Sequence, residues 1–477
     1  MLLPSRPAPF AATLAAAALV VAGLGVVGLS FAALPRGDAV AAGVHLAGEA
    51  SSPGEGFERA AQTAAKALLE RPLRLTLDGR TLVETTPAAL GATADVAGAM
   101  RRAQGFGRQG GLFARALEAW ATRRSGAAVA IPYSVPVEPL AEVLAVWKER
   151  EDRRPRDARL DPTSREVSAE EAGRAVDVYA TADALERALD RAGRGGSAID
   201  AIDVALLREE PRVTGELARS LDVGTAVSRF ETHYGWLGGQ AGRARNVALA
   251  ASRIHGLVLL PGVVVSFNDA VGPRSLDAGF ANAPEIYKGE MREGVGGGTC
   301  QVASTLHAAA FFGGLTIASR ANHSRPSAYI PVGLDATVVY PDVDLRLENT
   351  LPFPVVVDAR AERGALVIEL RGPTTGPEVT YRTEVVGVSR YRRKIERTAA
   401  LPEGEFRLKQ AGKRGMSLRK TRTLRAPGGA PREEVTIDVY PPVAEIYQVG
   451  PGTDVATALP PLPEDAAPEG PLVARVD

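Results

Sequence analysis

The sequence predicts a multi-domain α+β protein: an N-terminal transmembrane helix, duplicated small α/β modules, an α+β domain with an antiparallel sheet, and a C-terminal all-β domain. Three observations predict it. The chain has 477 residues, too many for one ordinary domain at roughly 150 residues each. An apolar run from Phe10 to Leu34 is broken only by Thr13, Ser30 and small glycines, and about 20 such residues cross a bilayer. Helical spacing of apolar residues alternates with short strand-like stretches up to about Ala192, whereas beyond Gly372 the pattern has a period of two. At 45% hydrophobic residues the chain can bury real cores, and 56 basic against 56 acidic residues give a formal net charge of +0. No whole-protein field therefore points to nucleic acid as a partner.

In chain order, residues 1–9 read as a cytoplasmic N-terminus and 10–34 as an uncleaved signal anchor oriented by Arg6, with cleavage near Ala32-Ala33 as the alternative. This places a single pass in the inner, cytoplasmic membrane and everything beyond Pro35 outside the cytoplasm. In that compartment the lone Cys300 cannot form an internal disulfide.

Residues 35–135 read as a first module: a strand at GVHLAG, a helix over Phe57 to Leu69, a hairpin about Asp78-Gly79 and a helix from Asp95 to Arg102. A similar order recurs in 136–225, with a helix over Val137 to Glu149, strand and turn in ARLDPTSREVSAEEAG, and a helix over Thr181 to Ala192. Gly-x-x-x-Asp closes both patterns, at Gly91/Asp95 and Gly173/Asp177, as in an internal duplication. Both halves resemble the YoaR-like peptidoglycan-binding domain of bacterial envelope proteins. The bland reading is a pair of spacers.

Residues 226–372 predict the α+β domain. Arg243 to His255 has helical spacing, VVVSFND runs as a strand into a turn, and GVGGGTCQVASTLHAAAFFGG is a glycine loop opening a helix at Thr299. Thr316 to Arg320 and Ser327 to Val332 read as strands, and PFPVVVDARAERGALVIELRG as an antiparallel hairpin. The blocks RFETHYGWLGGQAGRARNVALAASRIHG, NAPEIYKGEMREGVGGGTCQVASTLHAAAFFGGL and HSRPSAYIPVGLDATVVYPDVDLRLEN together resemble the VanW family, named for an accessory protein of some vancomycin-resistance clusters. That resemblance implies an extracytoplasmic envelope protein and specifies no reaction. Residues 373–450 read as all-β; Gly412/Gly415 and the YPPVAEIYQVG ending are similar to the G-five domain, which implies binding to amino-sugar polymers. Basic residues such as Arg393, Lys394, Lys413, Lys420 and Arg422 crowd this segment and suit an anionic polymer. Residues 451–477, rich in Pro, Ala and acids, predict a disordered tail.

The candidate chemistry centres on Cys300, placed in a first helical turn where free N–H groups and the helix dipole favour a thiolate. His307 lies on the same helix but about 10 Å away at 1.5 Å rise per residue, too far to be its base. His323 and Asp335 follow on later segments, so the chain order is Cys, His, Asp. Transglutaminase-like and papain-like enzymes use a similar arrangement, with the acid orienting the imidazole and backbone N–H groups, here Gly298 to Gln301, as an oxyanion site. No closely spaced ligand pair supports zinc, and no cofactor motif is present. The leading reading is a membrane-anchored protein that binds peptidoglycan or a related wall polymer. In it Gly296, Gly297 and Gly298 let the polymer approach, Gln301 and Arg325 offer hydrogen bonds, and Asn268 lines the same cleft. The alternative is a Cys-His-Asp enzyme performing acyl transfer or amide hydrolysis on peptidoglycan stem peptides.

Overall fold

The computed structural model describes residues 28, 31–32, 34–48, 56–287, 290–426, 428–467 and 472–475. Residues 1–9 and nearly all of the expected anchor 10–34 lie outside them. Among the described residues no helix is long and apolar enough to cross a membrane. The chain divides into two compact units, residues 1–155 with 172–210, and residues 156–171 with 211–477.

The first unit begins with β1 (Val44–Leu46) and α1 (Phe57–Leu69), whose Phe57, Ala61 and Ala65 are buried at four-residue spacing. β2 (Leu73–Leu77) and β3 (Arg80–Thr85) form the expected hairpin. Asp78 and Gly79 both have positive φ, 50° and 77°, the mirror-image turn that matches strand twist. Next come β4 (Thr93–Ala94), α2 (Val96–Gly105), α3 (Leu112–Ser125), β5 (Ala127–Val129), β6 (Tyr133–Ser134) and α4 (Val137–Glu151). β7 (Gly173–Val176), α5 (Val178–Ala192), β8 (Ala201–Asp203) and β9 (Leu206–Glu209) complete the unit. Periodicity gave no sign of α3, because its buried face is Ala116, Ala119 and Thr122 while Leu112, Phe113 and Leu117 are exposed.

The two Gly-x-x-x-Asp motifs do similar local work. Asp95 accepts from Gly98 N at 2.7 Å and Asp177 from Ala180 N at 2.8 Å, capping α2 and α5. They do not mark two separate cores. Leu75, Leu90, Leu140, Leu144, Leu185 and Leu189 share one cluster, and β8 pairs in parallel with β2. The partition into 35–135 and 136–225 therefore differs from the structure, where residues 156–171 and 211–225 pack in the second unit. Small chains bury a smaller fraction of their surface on folding, which suits a core shared by both halves.

In the second unit, α6 (Gly215–Ser220) precedes β10 (Thr225–His233), α7 (Ala241–Ile254), β11 (Val258–Leu259), β12 (Val264–Ser266) and α8 (Phe267–Val271). The hairpin β13 (Asn282–Tyr287) and β14 (Glu290–Val295) leads into α9 (Thr299–Phe312). β15 (Thr316–Ser319), β16 (Arg346–Glu348), β17 (Val355–Glu362) and β18 (Ala365–Gly372) follow. An antiparallel sheet of order β10-β18-β17-β11 carries α7 and α9, and Val247, Ile254, Val302, Leu306, Leu366 and Ile368 meet in its core. α9 is buried on nearly every side, which is why its sequence is apolar all round.

The expected strand Ser327 to Val332 is a series of turns. Pro326 and Pro331 remove ladder donors, and Gly333 takes φ +90°. The polar groups of this loop are met by side chains instead: Tyr381 Oη donates to Val332 O at 2.9 Å and Lys420 Nζ to Gly333 O at 3.0 Å.

Those side chains belong to the C-terminal β region. It comprises β19 (Glu378–Ser389), β20 (Arg393–Arg397), β21 (Phe406–Gln410), β22 (Gly415–Arg425), β23 (Arg432–Tyr440) and β24 (Glu445–Val449), arranged as β19-β22-β23 and β21-β24-β20. The tail is ordered where described: α10 (Val455–Ala458) is followed by β25 (Leu472–Arg475), which pairs in parallel with β20. Composition predicted disorder, but a proline run can be held by its carbonyls. The buried Arg393 donates Nη1 to Pro460 O at 2.6 Å.

Candidate active site

The site is built from the glycine loop upward. Gly298 precedes α9 with φ +107°, where a Cβ would lie 3.0 Å from Val247 Cγ2. A Cβ on Gly297 would lie 2.6 Å from the carbonyl oxygens of Ala283 and Pro284. Gly297 thus lets the loop pass against the protein's own β13 backbone, and Gly296 to Gly298 line a cavity of about 860 Å³. Asn246 on α7, fully buried, pins this loop: its Nδ2 donates to Gly297 O at 3.0 Å and Ala281 O at 2.9 Å, and its Oδ1 accepts from Ala281 N at 2.7 Å. Sequence reasoning missed Asn246; its one signal was an amide amid the apolar face of a helix.

Cys300 follows in the first turn of α9, partly exposed to the cavity, with its Sγ 3.5 Å from Val338 O. Across it stands the buried His323. The imidazole Nδ1 lies 2.8 Å from Asp335 Oδ2, the same oxygen accepts His323 N at 2.7 Å, and the imidazole also interacts with the Cys300 side chain. Structure therefore brings the three residues together in the order Cys, His, Asp. Of the expected oxyanion donors, Thr299 N is taken by Gly296 O and Gln301 N by Gly298 O. The N–H groups of Gly298 and Cys300 meet no backbone acceptor among the described residues.

Electrostatics follow from this geometry. Burial pushes the Cys300 thiol up, but the hydrogen bond and charge of His323, with Arg274 nearby, reverse that and leave it below its usual value. Burial lowers His323, yet its bonds to Asp335 and Cys300 outweigh this and raise it to about 9. Asp335 is also desolvated, and the donors from His323 and Tyr440 hold it well below the carboxylate range. Each group thus favours the charged form of its neighbour, a thiolate beside an imidazolium held by a carboxylate.

Other expected residues separate. Arg325 lines the cavity, and no described side chain or backbone group bonds its guanidinium. Gln301 is buried and committed: Nε2 donates to Thr232 Oγ1 at 3.0 Å and His233 O at 2.9 Å, while Oε1 accepts from Arg243 Nη2 at 2.9 Å. It holds Arg243 at the cavity wall rather than offering its own amide. Asn268 does not line the cavity; buried on α8, it donates to Val343 O at 3.0 Å and so steadies the segment that carries Val339 and Tyr340 to the wall. His307 is a core residue, its Nδ1 2.7 Å from Leu334 O, and burial with the charge of Arg320 lowers it to about 3. Among the described residues no group of three or more His, Cys, Asp or Glu is placed to hold a metal.

The basic crowd of the C-terminal region is largely neutralised within the protein. Arg393 pairs with Glu445 at 2.5 Å, Lys394 with Glu396 at 3.1 Å, Lys420 with Asp438 at 3.0 Å and Arg422 with Glu434 at 3.1 Å. Lys420 and Arg422 are buried.

Residues 242–371 match the family described as "VanW like protein", and residues 83–195 the family described as "Putative peptidoglycan binding domain". The latter match runs through position 135, as does the shared core. The chain is 35% identical over 178 residues to "Uncharacterized protein YoaR" of Bacillus subtilis (strain 168), covering 37% of this chain and 57% of that one. It is 29% identical over 115 residues to "Vancomycin B-type resistance protein VanW" of Enterococcus faecalis (strain ATCC 700802 / V583), covering 23% of this chain and 42% of that one. The alignments thus span about half the length of these relatives. Similar solved structures include the IgA1 protease G5 domain, 26% identical over 17% of this chain and 96% of that chain with a TM-score of 0.12. HP0197-G5 is 23% identical over 15% of this chain and 99% of that chain, with a TM-score of 0.10.

Proposed function

We propose that this chain, whose segments are similar to the VanW-like and peptidoglycan-binding families, is a cell-wall-associated cysteine acyl transferase acting on peptidoglycan stem peptides. The observation that carries this reading is the 2.8 Å contact of His323 Nδ1 with Asp335 Oδ2, with the same imidazole interacting with Cys300 at the start of a helix that lines a cavity. The Cys300 thiolate attacks an amide carbonyl carbon, forming a C–S bond. The developing oxyanion meets the N–H groups of Gly298 and Cys300. His323 gives its proton to the leaving amine as the C–N bond breaks, and Asp335 keeps the imidazole in the required tautomer. The thioester then passes its acyl group to an amine or to water, with His323 taking the proton back. Arg243, Arg274, Arg325 and Lys413 around the cavity suit a substrate bearing carboxylates, as stem peptides do.

A second reading, wall-polymer binding without chemistry, is favoured by the match at residues 83–195. Incubating purified sacculi with the protein and analysing muropeptides by mass spectrometry separates the two. The expected outcome is new cross-linked or trimmed muropeptides with the native chain, none with Cys300→Ser, and equal co-sedimentation of both. Unchanged muropeptides despite a reactive Cys300 would leave binding alone.

A further inference from the structure

The loop that carries His323 and Asp335 is held from beyond residue 371. Tyr440, on β23, is buried; its hydroxyl donates to Asp335 Oδ1 at 2.5 Å and accepts from Gly333 N at 3.0 Å. Asp438 lies two residues earlier, hence on the same face of the strand. It receives Arg320 Nη1 at 2.7 Å and Lys420 Nζ at 3.0 Å, and Arg320 Nη2 in turn reaches Asp335 Oδ1 at 3.3 Å. Asn322 adds a bond from Nδ2 to Val439 O at 2.8 Å. The Asp335 carboxylate is thereby divided: Oδ2 serves His323 alone, and Oδ1 is held by Tyr440 and Arg320.

We infer that Tyr440, supplied by the C-terminal β region, is a positioning residue for the Cys300–His323–Asp335 set, so that the site is complete only when that region is docked. This rests on the thiolate reading above. Tyr440 touches neither the sulfur nor a substrate. It fixes the plane of the carboxylate, so that Oδ2 faces Nδ1 and the imidazolium beside Cys300 is maintained. Burial and the Asp335 charge raise the Tyr440 pKa, so its hydroxyl remains a donor throughout the working range. The charged and titratable groups facing this carboxylate are His323, Arg320 and Tyr440, with Lys420, Asp438, His307, Tyr329 and Tyr381 farther off; Arg274 and Tyr329 face Cys300.

The test is the rate of Cys300 alkylation by iodoacetamide across pH in the full chain, which needs no substrate. Tyr440→Phe keeps the ring and removes the donor. Its inflection is expected to move up by about one unit, the worth of one charge-assisted hydrogen bond. Tyr381→Phe removes a hydroxyl from the same interface, one that bonds Val332 O, and is expected to leave the profile in place. Arg320→Lys keeps the charge but loosens the second hold on Oδ1, and is expected to shift the inflection in the same direction; it carries the test if Tyr440→Phe unfolds. A low inflection in the native chain that neither Tyr440→Phe nor Arg320→Lys moves overturns the inference and leaves the thiolate reading standing. A native thiol titrating at about 8.5 removes both.

Discussion

His323 is the residue on which the proposed reaction turns, because it joins both other members of the set. Its Nδ1 lies 2.8 Å from Asp335 Oδ2, and its imidazole interacts with the Cys300 side chain. Replacing His323 by Ala is expected to return the Cys300 alkylation inflection toward the ordinary thiol value of about 8.5. Asp335→Asn retains a similar shape but offers the imidazole a neutral partner, and turnover is expected to fall at least about 10²-fold in the muropeptide assay. The pH dependence follows from the signs. The proposed reaction uses a protonated His323, so turnover is expected to be lost as pH rises through about 9. The same raised value means that His323 stabilises the fold fully below its unfolded value, about 6.5, and that this contribution fades as pH rises through about 9. Asp335 is depressed, so its contribution is present above an unfolded value of about 3.9 and fades as pH falls below that. Thermal melts across pH check both limbs.

The element that sets Cys300 in place is the glycine loop together with the helix behind it. Gly297→Ala puts a methyl group against two rigid carbonyl oxygens at 2.6 Å, so the loop must shift. Slower Cys300 alkylation at neutral pH is expected, with α9 retained by circular dichroism. Asn246→Ala strips the same loop of its pin and leaves Ala281 N without an acceptor. A loss of about 3 kcal/mol is expected in denaturant unfolding, since a buried donor and acceptors are left unpaired. Strand propensity did not decide the loop from His323 to Asp335. Its prolines and Gly333 prevent a ladder, and tyrosine and lysine side chains from β19, β22 and β23 satisfy it instead.

At the scale of the whole molecule, cores and charges are shared across boundaries that the sequence pattern suggested. The two apolar halves of the first unit bury Leu75, Leu144 and Leu189 together. Of the basic residues that read as a polymer-binding face, Arg393, Lys420 and Arg422 are buried and paired within the second unit. Arg393→Ala would leave Glu445 buried without its ion pair and Pro460 O without its donor. A loss of about 3 kcal/mol or more is expected by thermal unfolding, far beyond the roughly 1 kcal/mol of a surface pair such as Arg419–Glu384.

What the sequence by itself determined is local: the hairpin at Asp78-Gly79, the Asp95 and Asp177 caps, and a glycine loop that begins a helix with Cys300 in its first turn. Each depends on residues a few positions apart, and their chemistry is readable there. The order Cys300, His323, Asp335 was also legible, and so was the exclusion of His307 by helical rise. Tertiary structure alone decided the rest. Gln301 and Asn268 turn inward because distant backbone groups need partners, and Asn246 reaches the glycine loop from another helix. Tyr440 meets Asp335 across 105 positions of chain, a separation at which no periodicity, cap or turn signal operates. Only the docking of one sheet onto another domain's loop brings that hydroxyl to that carboxylate.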